Sequence, residues 1–307
     1  MDIFLQQVFN GLTLGSIYAL VALGYTMVYG ILGLINFAHG EVVMIGALTA
    51  LAAANALLAL GLPVPLVLLL ALLAAALVCM ALGFTIERVA YRPLRNAPRL
   101  APLITAIGVS IVLQQLAMLI WGRRYHSVPQ LLPSGSHTIF GAQVTEVQMI
   151  IMATAALTML ALTQLVNRTR LGRAMRATSE SPSIAALMGV DANRIIALTF
   201  VIGSGLAALA GVMVSANYGI THYHMGFLLG LKAFTAAVLG GIGNLAGAMV
   251  GGVLLGVIEA LGAGYIGDLT GGVFGSNYQD VFAFFVLIVV LIFRPSGLMG
   301  EKVSERA

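Results

Sequence analysis

Long apolar runs recur along this 307-residue chain, each near the 20 or so residues that a helix needs to cross a bilayer. Candidate spans fall near residues 8–29, 41–60, 64–84, 101–121, 146–166, 195–217 and 279–294. A glycine-rich run from 226 to 263 has room for two short spans or one re-entrant hairpin, which brings the crossings to eight or nine. The pattern predicts an all-α polytopic membrane protein with broken or re-entrant helices, a single transmembrane domain over residues 1–307. Small residues recur at every fourth position in several spans. They are Gly11, Gly15 and Ala19; Gly203, Ala207, Gly211 and Ser215; and Ala248, Gly252, Gly256 and Ala260. Such stripes let helix backbones approach closely in lipid, and close packing alone explains them.

The main polar interruption is Arg168–Arg194. It holds Arg168, Arg170, Arg173, Arg176 and Arg194, five of the 15 Lys and Arg residues. Each would cost about 2.5–3.5 kcal/mol at the bilayer centre, so the stretch lies in water beside the membrane. Ser181 and Pro182 suit the N-cap and first turn of the second of two short helices, and Gly189 suits its end. Between these caps Ile184, Ala185, Leu187 and Met188 form an apolar patch that needs a cover, membrane or soluble partner.

Loop charge sets the orientation. Arg88, Arg92, Arg95 and Arg99 in the 85–100 loop, the five Arg of the 167–194 loop, and Lys302 and Arg306 in the tail face the cytoplasm. The 122–145 loop, rich in Pro and Gly, and the Lys- and Arg-free stretch 217–225 then fall outside, as does the N-terminus if 226–263 crosses twice. Charged residues are only 8% and the hydrophobic set is 60%, against about 25% charged in soluble domains. The mean hydropathy is +1.02. The net charge of +4 sits in loops between spans, where orientation explains it without nucleic acid. Cys79 stands alone in an apolar run, so no disulfide framework exists, and the opening MDIFLQQ lacks the basic start of a cleaved signal.

Chemistry concentrates where apolar runs break. The pattern L-G-x-I-x-x-x-x-G occurs at Leu32–Gly40 and again at Leu239–Gly247, each beside an amide, Asn36 and Asn244. Interrupted hydrophobic segments in corresponding places of two halves point to a solute path. Asn36, His39 and Glu41 at the first break, and Thr235, Gly240, Gly241 and Asn244 at the second, are the candidate path residues. The competing role for Asn36, His39 and Glu41 is to hydrogen-bond backbone freed at the helix break, and Asn36 leans that way. Lys232 lies near the start of its run and can snorkel to the interface, the alternative being a buried pair with Glu259. His222-Tyr223-His224 lacks a third ligand and reads as exterior loop rather than metal site. Gly203-Ser204-Gly205-Leu206-Ala207-Ala208 matches a dinucleotide fingerprint in letters only, because no strand precedes it. No G-x-x-x-x-G-K-[ST] phosphate loop occurs, so the chain does not read as an ATP hydrolase itself, and energy is expected from a gradient or another subunit.

The stretches 10–47 (through GLINFAHGE), IERVAYRPLR (86–95), LGRAMRA (171–177), ALTFVIG (197–203) and KAFTAAVLGGIGNLAGAM (232–249) resemble the permease of the high-affinity branched-chain amino acid ABC importer. The likeness runs from about Asn10 to Gly300. It implies the ABC importer permease fold and passage of a branched-chain or similar small amino acid across the bacterial inner membrane. It also implies four kinds of neighbour: membrane lipid, a second homologous permease, two cytoplasmic ATPase subunits that bind ATP and Mg in place of this chain, and a periplasmic substrate-binding protein. The family's ATPase-coupling loop maps to 171–189, within 167–194, with Gly172, Arg173, Arg176, Glu180 and Gly189 as its candidate contacts. Family members are richer in Cys and Lys where this chain has ATSESPSIAALMGV, have Asn-Pro near Thr221-His222, and have Pro within GNLAG. The last two departures leave open a cargo such as an amide, urea or an aromatic acid. A solitary ion-coupled transporter is the alternative from another class.

Overall fold

The computed structural model describes residues 2–95, 97–98, 100–271 and 278–300. Arg99, Lys302 and Arg306 of the orientation argument lie outside the described residues. Eleven α-helices account for most of the described chain. Seven of the described helical segments are long and apolar enough to cross a membrane, and two shorter apolar helices join them.

The helices α1 (Asp2–Leu32) and α2 (His39–Ala59) flank the first break. Then come α3 (Val64–Ile86), continued by a π-helical turn at Glu87–Tyr91, α4 (Leu100–Trp121) and α5 (Glu146–Arg168). Between α4 and α5 lie β1 (His126–Ser127) and a hairpin of β2 (Ser136–Ile139) with β3 (Ala142–Thr145). The predicted cytoplasmic stretch becomes α6 (Arg170–Glu180) and α7 (Pro182–Leu187). The chain then crosses in α8 (Ala192–Tyr218), runs through β4 (Ile220–Thr221) into α9 (Met225–Gly240), and continues through α10 (Leu245–Leu269) and α11 (Gln279–Phe293). The glycine-rich run is thus two helices joined by a turn, and α9, at about 24 Å, is shorter than the bilayer core.

The first helix is the centre of the molecule. Every residue from Ile17 to Leu23 is buried, as befits a helix that is apolar all round and surrounded by other helices. Its stripe of small residues meets that of α10: a Cβ on Gly15 would collide with the backbone of Val253, and one on Gly252 with Ala19. The third stripe, on α8, serves in the same way, Gly211 lying against the backbone of Val43 and Ala47 in α2. By contrast α3, α4, α5 and α11 expose Leu69, Ile111, Leu160 and Phe285, apolar side chains that suit hydrocarbon.

Tertiary contacts place the loops on two ends. Arg95 donates to Glu87 and to Asn193, so the two Arg-rich loops share one end. At the opposite end β1 pairs antiparallel with β4, joining the 122–145 loop to the 217–225 stretch. Gln6 exchanges two hydrogen bonds with the backbone of Gln143, at 2.9 and 2.8 Å, which holds the start of α1 at that same end, the one predicted to be outside. The helix begins at residue 2 rather than near 8 because its first turns are an amide-bearing extension; Gln148 also reaches Asn10.

Candidate functional site

At the first break Gly33, in the left-handed region at φ +64°, ends α1, and residues 33–38 fold back into the protein. His39 consequently packs against Gly24, eight residues, or about 12 Å, before the end of α1. Any Cβ on Gly24 would strike the imidazole. Asn36 is buried, and its Oδ1 accepts from the Ala38 N–H at 3.2 Å and from the Tyr91 hydroxyl at 3.2 Å; Tyr91 is also 3.2 Å from the Ile35 carbonyl. Asn36 thus bonds backbone at the break as well as the Tyr91 side chain. His39 lies edge-on to Tyr25, ring centres 4.9 Å apart, in an aromatic cluster that includes Phe37 and Phe234.

Two residues further on, Glu41 is fully buried. Its Oε1 accepts from Gln114 Nε2 at 2.7 Å and lies 3.2 Å from the Ser110 hydroxyl, both on α4, while Oε2 has no hydrogen-bond partner among the described residues. Ser110 and Gln114 were not singled out from the sequence. Their spacing of four, which puts two polar groups on one helical face, was the available signal.

The second break is a four-residue turn, 241–244, built differently from the first. Gly241 takes φ +108° and packs on Gly300, and Gly240 lies so close to Gly247 that neither has room for a side chain. Asn244 caps α10 by accepting from the Gly247 N–H at 3.0 Å, and its amide donates to the Met299 carbonyl at 2.9 Å. Buried Thr235 hydrogen-bonds back to the Leu231 carbonyl at 2.9 Å. The repeated motif is out of register: Gly33, in the left-handed region, aligns with helical Gly240 rather than with Gly241, because each helix puts the left-handed residue just past its own last turn. The structure brings Asn36, His39 and Glu41 together at one break and Gly240, Gly241 and Asn244 at the other, not all into one constellation.

At the end that carries the two Arg-rich loops, α6 and α7 form an arm. Thr169 caps α6 and accepts from the Gly172 N–H at 3.0 Å, while Ser181 caps α7. Gly172 is buried where a Cβ would run into the Leu165 and Val166 carbonyls at the end of α5. Arg176 donates to that same Val166 carbonyl, and Met175 is buried in a cluster with Leu23, Met27 and Leu162. The arm is therefore fixed to the core, and Gly172 and Arg176 have work inside the chain. Arg173, Glu180 and Gly189 are exposed, Gly189 at φ +84°, and so is Arg176 apart from its bond to Val166. Within the predicted patch Ala185 is buried, but Ile184, Leu187 and Met188 are 62%, 86% and 80% exposed. A small cavity of about 100 Å³ is lined by Met175 and Arg176 of the arm, Gly243 of the second break and Gly30 of α1, so arm and break adjoin.

Lys232 does not snorkel. Its Nζ lies 2.6 Å from Glu259 Oε1 and 2.7 Å from Asp280 Oδ1, and the Tyr18 hydroxyl donates to Glu259 Oε2 at 3.0 Å. The buried pair exists with a third member, Asp280, because a paired ammonium need not reach the interface. In the 217–225 stretch His222 accepts from the His224 N–H at 3.0 Å; burial, with His224 nearby, holds its imidazole below the usual range. Among the described residues no three His, Cys, Asp or Glu side chains converge as metal ligands.

A family model described as the permease component of branched-chain amino acid transport systems matches residues 7–291. The high-affinity branched-chain amino acid transport system permease protein BraD of Pseudomonas aeruginosa is 51% identical over 99% of this chain and 98% of its own length. The corresponding protein LivH of Escherichia coli K12 is 47% identical over 99% of this chain and 97% of its own. With that likeness over almost the whole length and a bundle of membrane-length helices, this chain belongs to the branched-chain amino acid transport permease family and is a multi-pass protein of the inner membrane.

Proposed function

We propose that the chain passes branched-chain amino acids through a pair of homologous permeases, driven by ATP that two separate subunits hydrolyse, after a periplasmic binding protein delivers the solute. The observation that carries this reading is the arm. It is anchored to the core at Met175, Gly172 and Arg176, yet leaves Ile184, Leu187 and Met188 exposed on α7 and Arg173 exposed on α6. A rigid lever with an apolar tip suits the groove of a protein that moves. Closure of the ATPase pair would push α7, the push would pass through α6 to the cavity shared with Gly243, and the breaks at 33–38 and 241–244 would switch between arrangements. Arg173, Glu180 and Gly189 belong to the contact face; Gly172 and Arg176 transmit through α5. Asn36, His39, Glu41, Thr235, Gly240, Gly241 and Asn244 belong to the moving seam around the path. ATP and Mg belong to the partner subunits.

The test is reconstitution in liposomes. Leucine uptake is expected to require this chain, the second permease, the ATPases, the binding protein and internal ATP together. Uptake by this chain alone under an ion gradient would assign it to the solitary carriers instead.

A further inference from the structure

The exposed residues of α4 are Leu, Ile and Val with two exceptions, Gly108 and Gln115. These two lie seven positions apart, so they share a face, and with Ile104 and Ile111 they follow the 4-3-4 spacing of a helix-packing seam. The apolar members suit lipid and a neighbouring helix alike. The two exceptions do not suit lipid.

Gln115 lies six residues, or about 9 Å, before the end of α4 at Trp121. Helical side chains lean toward the N-terminus of their helix, so its amide leans away from that near end and into the hydrocarbon. An unpaired amide is costly there. Thr154, Thr158 and Thr163 of α5 meet the same demand by donating to carbonyls four residues back, at 2.7, 2.7 and 2.8 Å. The adjacent Gln114 turns inward to Glu41 at 2.7 Å. Gln115 does neither and has no hydrogen-bond partner among the described residues. Nothing within the chain explains Gly108 either: no atom lies within 4 Å of a Cβ built there, and glycine inside a helix is less favourable than alanine. A second helix crossing this face answers both, because glycine lets backbones approach and polar side chains bond across helices in lipid.

Whatever crosses must itself span the membrane, since soluble subunits do not reach this depth. An amide both donates and accepts, so an equivalent group on a like helix, related by a two-fold axis, bonds to it reciprocally. We propose that the α4 face through Gly108 and Gln115 is where the second permease packs, with a side chain that donates and accepts opposite Gln115. The assignment rests on the reading of the chain as one of a pair and adds which face the pair shares.

Photo-crosslinking of the complete transporter in lipid nanodiscs tests it, with p-benzoylphenylalanine placed at Ile111 and, for comparison, at Leu160 on α5. Ile111 is expected to give an adduct with the combined mass of the two permeases, and Leu160 several-fold less. Gln115→Leu gives the second measurement. It should raise the dissociation constant of the pair roughly 3- to 20-fold, followed by mass photometry as the transporter is diluted in detergent, while this chain stays inserted. Gly108→Leu, which meets nothing within its own chain, should separate the pair as well. Were lipid the cover, Ile111 would crosslink to no protein, and Gln115→Leu would remove an unpaired amide and melt higher with the pair intact; either result would overturn the assignment. An adduct with a chain other than a permease would do the same. A transporter that holds two permeases joined elsewhere overturns the face and leaves the pairing, whereas one that holds a single permease overturns the pairing itself.

Discussion

Single polar side chains decide how this apolar chain breaks and turns. Tyr91, at the end of the third span, reaches the Ile35 carbonyl and the Asn36 amide, so one hydroxyl braces a break more than fifty positions earlier. Tyr91→Phe keeps the ring against Phe200 and removes only those bonds. It is expected to lower stability by about 1–2 kcal/mol, read as a fall in melting temperature in detergent. Unchanged melting would mean that the break does not depend on Tyr91. Lys232→Met leaves Glu259 buried without its cation, which should cost about 3–5 kcal/mol. Lys232→Met combined with Glu259→Gln should restore much of the loss, and a double-mutant cycle on thermal melting measures the coupling. Asn36 and Glu41 could be picked out in the sequence because polar groups inside an apolar run are rare. Asp280, Tyr18, Ser110 and Gln114 could not be assigned partners, since only the packing of distant helices brings them within hydrogen-bond reach.

At the scale of elements, the spacing of small residues governs which helices touch. Gly15 and Gly256 leave no room between α1 and α10 for a side chain, and the backbones that a Cβ would meet cannot rotate aside. Gly15→Leu is therefore expected to cost at least the roughly 1–3 kcal/mol of an overpacked core and to abolish stable insertion, seen as lost membrane-extractable protein. Gly108→Ala, on α4 where nothing lies within 4 Å of the added methyl, is the matched control and should be neutral or slightly stabilising. The stripes and the spans were legible in the sequence because hydrophobic length and fourfold spacing are local properties. That the α1 stripe faces the α10 stripe was not, because nothing local distinguishes one small-residue face from another. The two breaks were located correctly but their likeness was overstated: six residues fold inward at 33–38, whereas 241–244 is a tight turn that Asn244 caps.

For the whole molecule, the unequal ends matter. One end ties the N-terminal turns of α1 to the β2–β3 hairpin through Gln6 and Gln143. The other carries the two Arg-rich loops and an arm whose tip is apolar and exposed. On the proposed reading, ATP hydrolysed in separate subunits acts on this chain through that exposed arm. Arg173 and Arg176 looked equivalent in the sequence, but Arg176 is committed to the end of α5, so its replacement would loosen the arm itself. Leu187→Asp changes the tip alone. The most direct measurement is therefore leucine uptake and ATP hydrolysis, recorded together, by the reconstituted transporter carrying Leu187→Asp. We expect loss of uptake, with ATPase subunits either released or hydrolysing ATP without transport, while the permease stays inserted. Wild-type uptake coupled to wild-type hydrolysis in that variant would contradict entry of energy through the arm.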